Sequence, residues 1–511
     1  MRDWRGKLIS CLGLALCAAA PVLANPGDAD KGAEIYARRC VLCHGEEGDG
    51  LGPAAERLNP PPRDFTFGQY KIKTTGFDDI VPNDEDLFRM ITDGMPGTAM
   101  PGWGDMLSEQ DIWDLIAHLK IFAGLEEEVP SDQVDYGTQV ASSPQSIAKG
   151  KQLFHEGDRC SECHGEDGKG DAVKGLKDDS GFRTWPRNLT KPWTFRASND
   201  QKDIYTRIST GIAGTQMPSF ADPVSKKKLE PEDRWHVANY VNSLAKTEEV
   251  VRPENTVVKA SKLDGDLPGA PDDESWKSAE PTSFFLVPQI IAAERFFTPS
   301  NDTITVRALY NDEEVAFLLE WDDRTRSIPG DEKAEKIADD DIAEDAVAIQ
   351  LPVTLPEGTE KPYFLMGDAA HPVNIWQWRS GTTDSPESIT LMNSRGIEDV
   401  ETRDALEAGV RAQGGYERGT WRIVIKRSLS TADPAQDIQF VEGAFIPVAF
   451  AAWDGSNSES GSRHTLTTWY WLLLKPAAGN TPLLAAVAAF VLMLLAELWW
   501  ARSASRKARS A

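Results

Sequence analysis

The sequence contains one cysteine motif twice, and this repeat constrains the fold more than any other feature. Residues 40–50 read CVLCHGEEGDG and residues 160–170 read CSECHGEDGKG. Each copy is preceded by a Lys-Gly pair and an aromatic residue, and each is followed by a Met-Pro pair. Because the order of features is the same, the sequence predicts two copies of one module, at 26–126 and 146–250.

Both modules close on a helical pattern that carries a tryptophan. In SEQDIWDLIAHLKIF, Ile112, Ile116 and Leu119 fall on one face at helical spacing, and Ser108 stands at the expected N-cap. The second module closes on EPEDRWHVANYVNSL. Between the modules, residues 127–145 are acidic and polar with few apolar side chains, so we interpret them as a linker.

The chemistry of a C-x-x-C-H motif is that of covalent haem attachment. Two thiols one helical turn apart can form thioethers with the two vinyl groups of one haem, and the next residue then directs its imidazole at the iron. A zinc site would need more ligands, and neither module has another cysteine. The predicted attachment residues are Cys40, Cys43, Cys160 and Cys163, with His44 and His164 as iron ligands.

The sixth iron ligand is predicted to be a methionine in each module. Met100 and Met217 lie in Gly- and Pro-rich loops that are poor core sequence. A neutral thioether paired with histidine gives a more positive potential than two histidines. Met95 competes in the first module but has no methionine at the same offset in the second. His118 and His236 are expected to be surface or interface residues.

On these motifs, each module resembles a class I cytochrome c, and the resemblance covers about 200 residues. It implies a mainly α domain in which an N-terminal helix carries the haem site and a C-terminal helix crosses it. The resemblance therefore implies two covalent haem c groups held in tandem.

The sequence changes character over residues 256–476. Short segments rich in Val, Ile and aromatics, such as TITVRALY, VAFLLEW, VNIWQWR and WRIVIKRSL, are separated by turn residues. Many short strands of this kind predict a β-sandwich. The acidic run at 331–345 is interpreted as a solvated insertion, with docking or calcium binding as the alternatives.

Three stretches of this region resemble the haem-binding γ subunit of ethylbenzene dehydrogenase and its relatives, which serve molybdenum enzymes in the periplasm. They are FLMGDAAHPVNIWQWR, GTWRIVIKRSL and AFAAWDGSNSESGSRHTLTTWYWLLL. The resemblance implies a non-covalent haem b at one end of the sandwich, held by a methionine and a lysine.

This sequence departs from that pattern at one ligand. Met366 falls at the position of the family methionine, but no lysine stands near Arg463 and His464, where the family has one. We expect His464 to replace it, with Lys426 and His371 as the other candidates. The alternatives are a sandwich that has lost its haem and only docks, and a carbohydrate-binding sandwich.

Both ends of the chain carry targeting signals. Residues 1–24 have basic residues, an apolar core and an Ala-x-Ala-like end, and predict a secretory signal peptide. Residues 481–501 are apolar apart from Glu497, and the basic residues 502–511 follow, which predicts a transmembrane helix and a cytoplasmic tail. The expected location is the periplasmic side of a bacterial inner membrane. The predicted fold class is thus two mainly α domains, a β-sandwich and a C-terminal membrane helix.

The function predicted from these features is electron transfer, with no substrate chemistry in this chain. Its net charge of −26 excludes nucleic acid as a partner, because phosphates would repel it. No nucleophile elbow, P-loop, zinc-protease motif or dinucleotide fingerprint is present. The γ-subunit resemblance implies molybdopterin and iron–sulfur subunits as partners, with nitrate, nitrite or another oxyanion, or a hydrocarbon, as the candidate substrates. The other carrier would be a soluble or membrane cytochrome.

Two other functions are compatible with the sequence. A dihaem subunit of another respiratory dehydrogenase or oxidase would keep both c-type sites and use a haem-free sandwich for docking. A sensing module would use the sandwich as a receptor, but it would need an open iron position, which the two methionines would close.

Overall fold

A computed structural model describes residues 27–58, 60–171, 175–181, 183–247, 256–289, 301–336, 341–363, 366–476 and 481–509. The predicted signal peptide at 1–24 lies outside these ranges.

The first module is helical. Its helices are α1 (Ala29–Arg39), α2 (Val41–His44), α3 (Asp84–Asp93) and α4 (Glu109–Ala123), with a 3₁₀ turn at Ala55–Arg57. Asp28 begins α1 by accepting hydrogen bonds from the backbone N–H groups of Asp30 and Lys31. Ser108 and Asp111 form a capping box at the start of α4, as the sequence predicts.

The second module repeats this arrangement. Its helices are α5 (Pro144–His155), α6 (Ser161–His164), α7 (Gln201–Thr210) and α8 (Pro231–Thr247), with 3₁₀ turns at Glu156–Asp158 and Pro192–Thr194. In each module the first and last helices cross at the glycine of the Lys-Gly pair. A Cβ on Gly32 would lie 2.0 Å from the carbonyl oxygen of Asp114, and one on Gly150 would lie 2.0 Å from that of His236.

The segment between the modules packs on both of them. The backbone N–H of Ser131 donates to Asp79 at 2.6 Å, which ties the segment to the first module. The side chain of Val134 is buried in the core of the second module. Trp235 on α8 donates its indole N–H to the carbonyl of Tyr136 at 2.8 Å. These contacts fix the path of the chain from one module to the next.

The third domain is built from strands. They are β1 (Val257–Lys262), β2 (Thr282–Phe285), β3 (Val287–Pro288), β4 (Thr303–Tyr310), β5 (Glu314–Asp322), β6 (Ala346–Pro352), β7 (Val373–Arg379), β8 (Ser388–Ser394), β9 (Val400–Arg403), β10 (Arg411–Glu417), β11 (Thr420–Ser428), β12 (Phe445–Trp453), β13 (Thr465–Leu466) and β14 (Tyr470–Leu474). Two 3₁₀ turns (Glu274–Ser278 and Gly455–Asn457) and the short helix α9 (Glu332–Glu335) connect them.

The strands follow the order β10-β11-β5-β4-β1-β14-β12-β6-β7-β8-β9. Most neighbours are antiparallel, and β1 pairs in parallel with both β4 and β14, which joins the two halves. The largest core contains inward residues of both halves, such as Phe317 and Ile423 from one and Ile349 and Trp376 from the other. The halves therefore pack face to face as a sandwich.

A second apolar cluster lies on the β6–β12 half. Its members are apolar: Ala346, Ala348, Val373, Ile375, Ala449, Trp453 and Trp469, with Met366, Met392 and Ala451 packed against them. Because side chains alternate between the faces of a strand, the members on the strands point away from the main core. The cluster marks this face of the sandwich as apolar.

The second module is fastened to the other two domains by ion pairs. Lys191 is buried and lies 3.0 Å from Asp302 and 2.9 Å from Asp322 of the sandwich. Arg89 of the first module donates to Asp203 of the second at 2.8 Å. The second module thus lies between the first module and the sandwich.

The C-terminal helix α10 (Thr481–Arg509) corrects one prediction. In the part of the chain that the structure describes, no helix combines the length and the apolar character needed to cross a membrane. The side chains described on α10 include the charged residues Glu497 and Arg502. The predicted transmembrane anchor, and the membrane-anchored periplasmic location that depends on it, are therefore wrong.

Candidate haem-binding sites

In the first module, α2 presents the attachment motif. Cys40 precedes the helix, and Cys43 and His44 complete its single turn, with the N–H of His44 donating to the carbonyl of Cys40 at 2.9 Å. Nδ1 of His44 lies 3.0 Å from the carbonyl oxygen of Arg63. A carbonyl only accepts, so Nδ1 carries the proton and donates it. This bond leaves Nε2 as the nitrogen with a lone pair for iron.

The second module has the same geometry. His164 Nδ1 lies 3.0 Å from the carbonyl oxygen of Arg187, so the same tautomer is fixed. Burial lowers the pKa of both His44 and His164, which keeps the imidazoles neutral and able to bind a metal. Downstream, Phe65 N–H donates to Gly48 and Leu189 N–H donates to Gly168, both at 2.7 Å.

The motif cysteines are half-buried and form no disulfide. Burial raises the pKa of Cys40 to about 11 and that of Cys160 to about 12. Thioether formation needs no thiolate in the finished site and is compatible with these surroundings.

The two methionine loops form equivalent backbone hydrogen bonds. Met95 N–H donates to the carbonyl of Met100 at 3.1 Å, and Ile212 N–H donates to that of Met217 at 3.1 Å. Each loop begins at a glycine with positive φ, 71° at Gly94 and 67° at Gly211. Met95 therefore corresponds to Ile212, and only the Met100–Met217 pair is a methionine in both modules. This equivalence favours Met100 over Met95 as an iron ligand.

His118 and His236 lie where the first and last helices cross. A Cβ on Gly32 would approach the side chain of His118, and His236 Nδ1 lies 2.8 Å from the hydroxyl of Ser146. Both histidines are thus used in helix packing.

A cavity of about 890 Å³ adjoins the second attachment motif. Cys160, Cys163, His164 and Met217 all line it, together with apolar side chains of the same module such as Phe154 and Leu189. Its volume lies in the range of cofactor pockets, about 300–1,000 Å³. The residues present therefore fit a haem that is attached at the cysteines and held from both sides.

The sandwich brings Met366 and His464 to one apolar cluster. Met366 packs against the cluster that contains Trp453, and the His464 ring lies 4.6 Å from the Trp453 ring, centroid to centroid. His464 Nδ1 lies 3.0 Å from the carbonyl oxygen of Thr465.

The backbone at Met366 is unusual. Its φ is 62°, a conformation that is costly for a side chain of this size. Two hydrogen bonds to its carbonyl hold it there, from the Ser394 hydroxyl at 2.8 Å and from Gly396 N–H at 3.0 Å. A strained residue that is held firmly is typical of a functional position, and Met366 is the predicted ligand.

The other lysine and histidine candidates lie elsewhere. Lys426 is on β11, in the other half of the sandwich, and pairs with Glu314 at 3.5 Å. His371 is 43% exposed and lies 3.3 Å from Asp368. Of the candidates for the second ligand, the structure places only His464 against the apolar cluster of Met366.

Arg63 and Arg187 are functional residues that the motifs above do not single out. Their carbonyl oxygens fix the ligand histidines, and the sequence does contain a repeated signal for them. The first module reads PPRDF and the second reads WPRNL, so a Pro-Arg pair followed two residues later by an apolar residue repeats in both. That apolar residue is the one whose N–H binds the glycine loop.

Three family models match separate parts of the chain. The family model described as cytochrome c oxidase, cbb3-type, subunit III matches residues 27–119, and that described as cytochrome c matches residues 147–245. The ethylbenzene dehydrogenase family model matches residues 273–399 and 388–465. Cytochrome c55X of Stutzerimonas stutzeri is 35% identical over 123 residues, which are 22% of this chain and 88% of that protein. The chain belongs to the cytochrome c family and carries an ethylbenzene dehydrogenase-type domain.

Two longer relatives of this cytochrome are subunits of oxidoreductases. One is the ORF7 product of Haloferax mediterranei, described as a respiratory nitrate reductase heme subunit, which is 28% identical over 45% of this chain and 77% of its own length. The other is the chlorate reductase subunit gamma of Ideonella dechloratans, 26% identical over 42% of this chain and 84% of its own length. The cytochrome is thus an electron-transfer protein, and its two cytochrome c domains carry haem c.

Proposed function

We propose that this cytochrome connects a molybdenum oxidoreductase to a redox carrier, with the sandwich toward the enzyme and the first module toward the carrier. The proposal is supported by the relatives named as subunits of nitrate and chlorate reductases and by the ethylbenzene dehydrogenase-type domain. The partner subunits would be a molybdopterin chain and an iron–sulfur chain. The carrier would be a soluble or membrane cytochrome.

The observation that carries the proposed order is the wall of the cavity at the second attachment motif. Besides Cys160 and His164, this wall includes Gly97 of the first module and Phe285 and Arg463 of the sandwich. The second module therefore lies between the other two domains at its redox site. We infer that electrons pass between the sandwich and the first module through the second module.

The residues proposed to hold the redox groups follow from the geometry above. His44 and Met100 would ligate iron in the first module, and His164 and Met217 in the second. In the sandwich, Met366 and His464 would hold a non-covalent haem b, which supplies one further one-electron centre when bound. Arg463 lines the cavity of the second module while the next residue, His464, packs on Trp453, so the two sites share one loop.

Isolation of the native complex tests the partner. The full chain is purified from its host under mild conditions, and molybdenum, iron and the accompanying chains are quantified. We expect a molybdenum-bearing catalytic chain in a fixed ratio to the cytochrome. A complex that holds a different catalytic subunit and no molybdenum would contradict the proposal.

Stopped-flow measurement of electron transfer in the complex tests the order of the domains. Met217→Ala should lower the potential of the second module and slow electron exchange between the first module and the enzyme's substrate, whether that substrate oxidises or reduces the haems. Met100→Ala is the matched control, because it should leave electron exchange between the second module and the substrate at its normal rate. An equal rate for the first module in the wild type and in Met217→Ala would refute the serial path.

A further inference from the structure

The cavity at the second attachment motif is strongly basic in a strongly acidic protein. Eight arginine and lysine residues line it against three aspartates, although the chain as a whole has a net charge of −26. The basic residues come from all three domains. Water solvates basic residues that are spread over a protein surface. Solvation does not explain why cations are concentrated in the wall of one cavity.

Three of these cations have no acceptor of their own. Within the described residues, Arg187, Arg196 and Arg324 form no hydrogen bond or ion pair through their guanidinium groups, and Nε of Arg196 is buried without a partner. Arg324 instead stacks on Trp185, with the guanidinium carbon 5.6 Å from the ring centroid. A guanidinium has five donors, and all three of these side chains line the cavity.

The arginines of this cavity repel one another. Burial lowers the pKa of Arg196 to about 10, and repulsion from Arg324 and Arg63 contributes to the shift. A guanidinium that is withdrawn from water without an acceptor costs free energy, and an anion in the cavity would offset that cost.

The acidic residues of the same cavity are engaged elsewhere. Asp302 forms its closest ion pair with Lys191 at 3.0 Å, and Asp178 lies 3.8 Å from Lys71. Asp454 accepts from the backbone N–H of Ser456 at 3.0 Å. They moderate the positive charge near Arg324, but they give none of the three guanidiniums a hydrogen-bonded carboxylate.

The group attached in this cavity supplies the missing anions. A haem joined to Cys160 and Cys163 carries two propionate carboxylates, and arginine is the side chain best suited to bind carboxylates through paired N–H donors. We propose that Arg187, Arg196 and Arg324 form a cross-domain binding site for the propionates of the second haem c. Two of the three belong to the second module and Arg324 belongs to the sandwich.

Two consequences follow from this assignment. Positive charge beside a haem favours its reduced state, so the cluster raises the potential of the second module. Because Arg324 lies in the loop after β5, the sandwich also contributes directly to the redox site of its neighbour. The inference rests on haem attachment at Cys160 and Cys163 and does not depend on the identity of the partner enzyme.

Redox titration of variants tests the site. The full chain is titrated spectroscopically with Arg324→Gln, Arg324→Lys and the neighbouring exposed Arg326→Gln as a matched control. We expect Arg324→Gln to lower the midpoint potential of the second haem and leave that of the first in place. Arg324→Lys should recover part of the shift, and Arg326→Gln should have none. Unchanged potentials in Arg324→Gln would overturn the proposal.

A second variant keeps the test valid if the Arg324 variants fail to fold. Arg196→Gln lies in the second module and should lower the same potential, so the test does not depend on Arg324 alone. The titrations are repeated in chloride, nitrate and phosphate at equal ionic strength. If the wild-type potential depends on the oxyanion and that dependence is lost in the variants, the cluster takes a free oxyanion and the propionate assignment is wrong.

Discussion

At the scale of single residues, the proposed iron ligands and the groups that hold them occupy equivalent positions in the two modules. Met100 and Met217 occupy loops with matching hydrogen bonds, and His44 and His164 are held by matching carbonyls. Each position in one module therefore has its natural control in the other.

We expect Met100→Ala to lower the potential of the first module and to remove its methionine–iron charge-transfer band near the red end of the spectrum. Loss of the neutral thioether leaves a weaker sixth ligand, such as water, which favours ferric iron. Met217→Ala should do the same for the second module only. Persistence of both bands in both variants would show that other residues bind the irons.

A carboxylate cluster in the sandwich predicts a pH effect on stability. Asp323, Asp345 and Asp454 are buried with ligand oxygens within 4.8 Å of one another. Burial raises the pKa of Asp345 to about 8 and that of Asp323 well above its usual value, and neighbouring carboxylates add to both shifts. A carboxyl with a raised pKa in the folded state holds its proton more tightly when folded. Its contribution to stability is thus lost as pH rises from about 4 toward 8.

Asp323→Asn should therefore stabilise the sandwich at pH 8. Oδ1 of Asp323 accepts from Thr325 N–H at 3.1 Å, while Oδ2 has no hydrogen-bond partner in the described structure. An amide NH₂ at Oδ2 would donate to the neighbouring carboxylates. We expect a gain of about 1–2 kcal/mol at pH 8 and almost none at pH 4, measured as the change in Tm. A lower Tm at pH 8 would show that the cluster needs all three negative charges.

At the scale of elements, the sequence pattern located the helices and strands well. The strand pattern TITVRALY coincides with β4 at Thr303–Tyr310, and WRIVIKRSL falls on β11. Alternation and β-branched residues specify such strands locally. The burial of Asp345 was not foreseen, because it ends an acidic run that reads as solvated, and only the tertiary fold brings it to Asp323.

The helix crossing gives a sharp prediction for the second module. A Cβ at Gly150 would lie 2.0 Å from the carbonyl oxygen of His236, which is backbone and cannot move aside without separating α5 from α8. Gly150→Ala should cost about 3 kcal/mol and lower haem incorporation in this module. Gly175→Ala is the control, because no atom lies within 4 Å of a Cβ there. Equal Tm values for Gly150→Ala and Gly175→Ala would refute the close contact between α5 and α8 at Gly150.

At the scale of the whole molecule, the second module connects the other two domains. The motifs predict each domain separately, but how domains dock depends on contacts between residues far apart in the chain. Lys191 and Asp322, for example, form an ion pair, but the sequence patterns around them do not predict that they are in contact. The same limit explains why the arginine cluster was not foreseen, since its members come from different domains.

Removal of the central ion pair should loosen this assembly. Lys191→Met leaves the partly exposed Asp302 and Asp322 without this cation, which costs about 1.5–3 kcal/mol. We expect a larger radius of gyration by small-angle scattering and faster cleavage by protease between the second module and the sandwich. Lys228→Met is the control, because its pair with Glu230 is exposed. An unchanged radius in Lys191→Met would mean that other contacts hold the domains.

The most direct test of the account is a pyridine haemochrome spectrum of the purified full chain, with iron counted per chain. The account predicts two covalent haem c groups and one extractable haem b, with the haem b signal lost in His464→Ala and kept in Lys426→Ala. Two haem c groups without haem b would contradict a redox site in the sandwich and leave that domain as a docking module.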